Sequence, residues 1–102
     1  MQYGLKPEVI ARIWQIFAAH PEVEQAVLYG SRAKGTHKTG SDIDLTLKGE
    51  KLALPLLLKM ENELDDLLLP YKFDLSIFHA LDNADLIEHI NRAGILFYDR
   101  KA

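Results

Sequence analysis

The chain has 102 residues, 48% of them apolar and 26% charged, which suits one modest core in a single domain and excludes the disordered and fibrous classes. Twelve basic against 15 acidic residues leave a net charge of -3, so no global field draws the protein onto a nucleic-acid backbone, and any anionic ligand has to be held locally. Without cysteine there are no disulfides or thiolate metal sites; the start MQYGLKPEVI lacks a signal-peptide pattern and LALPLLL is too short to span a bilayer, so a cytoplasmic setting and no membrane contact are expected.

Pro7 suits the first position of a helix, and Ile10, Ile13, Trp14 and Phe17 follow at offsets that stack on one face. That helix should end near His20-Pro21. The run EQAVLYG reads as a strand closed by Gly30. A very short helix is expected from Ser31 through Lys34, ended by Gly35, and a polar loop, THKTGS, then leads to IDLTL. Alternation in IDLTL sends Ile43, Leu45 and Leu47 one way and Asp44 and Thr46 the other, the pattern of a half-buried strand.

A second long helix should start around Pro55, with Leu57, Met60, Leu64, Leu67 and Leu68 inward, and stop at Pro70. Nine leucines between Leu52 and Leu69 exceed what one face needs, so they read equally as a buried core helix or, with Trp14 or Tyr98, as an apolar patch for a partner. KFDLSIF alternates again, with Asp74 and Ser76 on one side and Phe73, Leu75 and Ile77 on the other. DNADLIEHINRAG is a capped helix, with Asp82 or Asn83 as N-cap and Gly94 as a left-handed stop, before a final strand ILFY. The order α-β-(short α)-β-α-β-α-β describes an α/β (α+β) protein, a mixed sheet of about four strands backed by helices.

The chemistry concentrates in GSRAKGTHKTGSDIDL, residues 30–45. A helix start exposes backbone N–H groups and the Ser31 hydroxyl, and glycine lets a phosphate approach the main chain. Asp42 and Asp44, two apart on a strand, project from one face about 6.5 to 7 Å apart. If the strand bearing Asp74 is a neighbour, about 4.8 Å away, three carboxylates meet at one edge of the sheet. Such like charges raise one another's pKa unless divalent cations neutralise them, and hard oxygen ligands favour Mg²⁺.

Gly30-Ser31, Asp42-Ile43-Asp44 and a further strand bearing Asp74 together resemble the nucleotidyltransferase superfamily that includes polymerase beta. The likeness is greatest to its minimal members, antitoxin-like partners of HEPN-domain proteins, and NADLIEHINRAGILFY extends it over nearly the whole chain. The resemblance implies transfer of a nucleoside monophosphate, AMP in the HEPN-paired members, from a nucleoside triphosphate to a hydroxyl of a partner, with two Mg²⁺ ions. It implies that Gly30 and Ser31, with Arg32 and Ser41 beside them, bind the nucleotide. Asp42, Asp44 and Asp74 would be metal ligands and catalytic residues, Asp74 serving also as base. A HEPN-family protein is the implied partner, and a partner or a second copy would supply the surface for base and acceptor that so short a chain lacks.

Rival patterns fit less well. DIDLT matches a haloacid-dehalogenase signature, but HKTGS stands where that family has an apolar strand. Gly30 and Gly35 have P-loop spacing, yet Thr36-His37 replaces the required lysine and hydroxyl residue. Arg32 and Lys34 read equally as phosphate-steering cations or as a solvated helix face. His20, His37, His79 and His89 lack zinc-ligand spacing, and His37 reads as an exposed loop residue. The competing function is a non-catalytic interaction module that neutralises its partner by binding.

Overall fold

The computed structural model describes residues 1–101. The chain runs α1 (Pro7–Ala18), β1 (Gln25–Tyr29), α2 (Ser31–Lys34), β2 (Ile43–Lys48), α3 (Leu54–Asp65), β3 (Phe73–Ile77), a 3-10 turn (Phe78–Ala80), α4 (Ala84–Ala93) and β4 (Ile95–Asp99). The strands form one mixed sheet in the order β3-β2-β1-β4. β1 lies antiparallel to both β2 and β4, whereas β2 and β3 are parallel, so the chain must cross back over the sheet between them, and α3 is that crossover. The expected α+β architecture is the observed one.

One face of the sheet is sealed. Ala26, Leu28, Ile43, Leu45, Leu47, Leu75 and Ile77 pack against Ile10, Ile13 and Phe17 of α1 and Leu57, Met60 and Leu64 of α3. Burying one such side chain contributes about 1.5–3 kcal/mol, so this layer carries most of the stability. Arg100 finishes α1: its guanidinium donates to the carbonyls of Phe17 (2.9 Å), His20 (2.8 Å) and Val23 (2.9 Å), meeting orphan acceptors at the negative end of the helix dipole. A register shift in β4 at Ala26/Val27 lets consecutive Phe97 and Tyr98 both lie on α1, with Phe97 beside Trp14 and Tyr98 beside Phe17.

Several expectations are corrected. Trp14 does not join the buried stripe; it is 44% exposed and its indole donates to the Phe97 carbonyl at 2.9 Å. α3 ends at Asp65, five residues before Pro70, and Leu68 lies beyond it with φ 55° and 88% exposure; the chain has already turned away from the sheet there. The leucines divide between both readings: Leu57 and Leu64 are core, while Leu54 and Leu58 face outward. Asn83 is the N-cap of α4, accepting from Leu86 N–H, but Gly94 is extended (φ -68°) rather than left-handed. Its missing side chain serves close approach instead: a Cβ would meet the Ile90 carbonyl and a Val27 methyl at 2.5 and 2.6 Å. β2 is more than half-buried, since Thr46 on its second face is fully enclosed.

Candidate functional site

The antiparallel β1/β2 pair and the parallel β2/β3 pair bring the C-terminal end of β1 and the N-terminal ends of β2 and β3 to the same rim of the sheet. Tyr29 stands opposite Asp44, and Asp44 opposite Asp74. Directly paired residues share a face, so the register sets Tyr29, Asp44 and Asp74 in a row, with Thr46 and Ser76 in the next row inward. This is the face away from α1 and α3. Over β1 it is closed by a small cluster of Val27, Tyr29 and Ile90 with Phe78, Leu81 and Leu86; at the rim it opens, leaving Asp42 and Asp74 exposed and Asp44 half-buried.

Gly30 makes the turn out of β1 with φ 77° and ψ -154°, a conformation that L side chains avoid. A Cβ at that position would run into the Asp44 carboxylate. The glycine turn and the β2 aspartate are therefore in contact, and α2 starts from that point with Ser31. Gly35, left-handed at φ 77°, ends it as expected.

Electrostatics record the crowding. Burial pushes the Asp44 carboxyl above the usual carboxylate range; Asp74 and then Asp42 push it further, while the Arg32 guanidinium opposes them. Burial likewise raises the Tyr29 phenol, with Asp74 and Asp44 adding to the rise and the Ser76 hydroxyl partly relieving it. Asp44 thus feels both of the other aspartates. The carboxylates do not form a finished cage, however: among the described residues no three His, Cys, Asp or Glu side chains are gathered closely enough to hold an ion by themselves.

Ser31 is half-buried at the start of α2. Ser41 lies at the end of the polar loop, its hydroxyl accepting from Lys38 N–H at 2.8 Å. Arg32 departs from both sequence readings. Its side chain is neither a free cation nor a solvated face: it is 3% exposed and directed at main-chain carbonyls. His37 is half-buried rather than exposed, with its ring against Gly4. Lys34 is exposed.

Other contributors went unnoticed in the sequence. Thr46 is fully buried under the rim, and the Ser76 hydroxyl donates to its Oγ1 at 2.9 Å, so two polar side chains satisfy each other below the carboxylates. Alternation placed both on the carboxylate face, but only the β2/β3 register pairs them. Tyr29 and Tyr71 carried no signal, because an aromatic residue at a strand end or in a loop reads as core.

Residues 11–102 match the family described as polymerase beta, nucleotidyltransferase, and the chain belongs to that family. No curated protein matches it. Among solved structures it is similar to a toxin-antitoxin with AMP-PNP (TM-score 0.73, 19% identity, 90% of this chain and 74% of that chain). It also resembles a complex of tri-AMPylated Shewanella oneidensis HEPN toxin with MNT antitoxin (TM-score 0.69, 15% identity, 95% and 75%). A third is the toxin-antitoxin MntA-HepT (TM-score 0.68, 15% identity, 94% and 74%). These are likenesses of fold.

Proposed function

We propose that the protein is a Mg²⁺-dependent nucleotidyltransferase of the minimal type, which moves a nucleoside monophosphate, AMP from ATP, onto a hydroxyl of a HEPN-family partner. Family membership supports the reaction class, and the neighbours' toxin-antitoxin complexes, one with AMP-PNP and one with an AMPylated HEPN toxin, support the donor and the partner. The observation that carries the reading is the register Tyr29–Asp44–Asp74 at the rim, with Gly30 seated on the Asp44 carboxylate.

Asp42, Asp44 and Asp74 are the residues to hold the metal ions. Their all-oxygen, mutually repelling set fits Mg²⁺, and an incomplete cage fits an ion that keeps water and takes phosphate oxygens as further ligands. When bound, two such ions supply charge neutralisation at the attacking and leaving oxygens. The absence of a side chain at Gly30 lets the main chain lie against the Asp44 carboxylate, and the triphosphate would bind along that turn and Ser31 beyond it. Asp74, exposed at the rim, accepts the proton of the acceptor hydroxyl as that oxygen bonds to the α-phosphorus and the bond to pyrophosphate breaks. Thr46 and Ser76, bonded to each other beneath, keep the floor closed.

The test incubates the protein and a HEPN-domain protein encoded beside it with Mg²⁺ and ATP labelled at the α-phosphate. Label should appear on the partner, and Asp44→Asn should slow its appearance on the order of 10³-fold. Equal labelling by the variant would remove the site from the chemistry. Full neutralisation of the partner with no label from any nucleotide would establish the interaction module instead.

A further inference from the structure

We infer that Arg32 is a positioning residue for Asp42, and that the N-terminal turn Gln2–Leu5 belongs to the same device. The inference rests on the proposed transferase reading only for its kinetic consequence.

Arg32 follows the Gly30-Ser31 turn directly, yet its side chain turns inward and is 3% exposed. A guanidinium shut away from water needs acceptors for its donors. Here every acceptor is a main-chain carbonyl: Nη1 donates to Tyr3 at 2.8 Å, Nε and Nη2 both donate to Ser41 at 3.2 and 2.8 Å, and Nη2 reaches Thr39 at 3.5 Å. Its Cζ lies over the Tyr71 ring, 4.9 Å from the centroid. Four hydrogen bonds and a cation–π contact leave little of this side chain for a phosphate.

The consequence for Asp42 follows from peptide planarity. The Ser41 carbonyl and the Asp42 N–H and Cα lie in one rigid plane, so two donors gripping that carbonyl orient the chain as it reaches Asp42. The loop before it has few other ties: Thr36 to Ser31, and Lys38 and Ser41 to each other. Most of its residues between Thr36 and Gly40 are exposed. Ile43, fully buried and bonded through its N–H to the Lys72 carbonyl at 2.9 Å, fixes the chain after Asp42; among the described residues Arg32 is the buried side chain that holds the Ser41–Asp42 peptide plane before it.

The other end of the device is a tight turn. Gln2 and Leu5 exchange two main-chain hydrogen bonds, at 3.1 and 2.8 Å, around Tyr3 (φ 57°) and Gly4 (φ 73°). Two consecutive left-handed residues are the pattern of a type I′ turn. Leu5 is fully buried in the main core, which anchors the turn. The Tyr3 carbonyl then meets Arg32, and Gly4 lies so close to the loop that a Cβ would strike the His37 ring and come within 2.9 Å of Arg32 Nη1. The turn, Arg32 and the loop carrying Ser41 therefore move as one.

The test uses the full chain with Arg32→Lys, Arg32→Gln and, away from the carboxylates, Gly4→Ala. Lysine keeps the charge but has no planar fork. Amide hydrogen exchange at residues 2–5 and 36–42 should quicken together by about tenfold in Arg32→Lys while β1, β2 and β3 stay protected. In labelled transfer, kcat should fall about ten- to a hundredfold with KM for MgATP within about twofold. Unchanged exchange, or a kept kcat in Arg32→Lys with a raised KM in Arg32→Gln, would overturn the inference in favour of direct phosphate contact. If the Arg32 variants do not fold, Gly4→Ala decides: exchange at 36–42 as in the unsubstituted protein would overturn it. A protein with no transferase activity refutes the proposed function, while the exchange arm still judges the role of Arg32.

Discussion

The two faces of the one sheet are built from alternate residues of the same strands and meet opposite demands. On the α1/α3 face, Leu28, Ile43, Leu45 and Leu47 are fully buried among Ile13, Phe17, Met60 and Leu64. Their immediate neighbours Tyr29, Asp44 and Thr46 look the other way, where α4 and the turn after β3 form only a small apolar cluster over β1. The first face gains from every contact. The second tolerates an enclosed hydroxyl pair, Ser76 and Thr46, and beyond it a carboxylate whose ionised form is disfavoured by its surroundings. Stability and the proposed reactivity therefore sit one residue apart along β2, and the strain of gathering charge is borne by a face that contributes little else to folding.

Truncation of the sealed face gives the largest stability effect. Phe17→Ala should cost about 3–5 kcal/mol in denaturant unfolding, through lost burial and the cavity left behind. Transfer per folded molecule should stay near that of the unsubstituted protein; a comparable loss of kcat at full folding would mean the faces are not separable.

Next is the contact that joins the turn to the carboxylates. Gly30→Ala meets both an unfavourable φ and the Asp44 carboxylate, so about 1–3 kcal/mol of stability should be lost, measured by the same unfolding experiment. Transfer should fall further than unfolding alone explains. An alanine variant with full activity would show that the turn and Asp44 need not touch.

The smallest effect is one of pH. Asp44 has a raised carboxyl in the folded chain, so its contribution to stability is whole below the ordinary carboxylate value and is lost as pH rises through the higher folded one. In metal-free protein, the melting temperature of Asp44→Asn should exceed that of the unsubstituted chain at neutral pH. The gap should close as pH falls toward 4. Mg²⁺ with ATP should raise the melting temperature of the unsubstituted chain and do less for the variant. A gap that widens on acidification would contradict the crowding of Asp42, Asp44 and Asp74.

Local pattern carried much of this site. Alternation in IDLTL and KFDLSIF put Asp44 and Asp74 on one side of their strands, and Gly30 and Gly35 bounded a four-residue helix as their backbone angles confirm. Gly94 misled because a glycine after a helix fits two causes, a left-handed turn or a tight approach, and only the neighbouring Val27 distinguishes them. Arg32 misled for a similar reason. A basic residue on a short helix beside a phosphate-type turn points outward by default, and the carbonyls of Tyr3, Thr39 and Ser41 that draw it inward belong to segments on both sides of it in sequence.

The sequence by itself determined where strands and helices lie, which side of each strand is acidic, and the spacing of the glycine turn and the aspartates, since each follows from side-chain size, backbone freedom and the period of two. Tertiary structure alone decided that Asp44 faces Asp74 in register, that Tyr29 stands in the same row at the rim with the Thr46–Ser76 pair beneath it, and that Arg32 ties the N-terminal turn to the loop before Asp42. Those depend on strand pairing and long-range hydrogen bonds, whose partners are set by how the whole apolar face closes rather than by any neighbour in the chain.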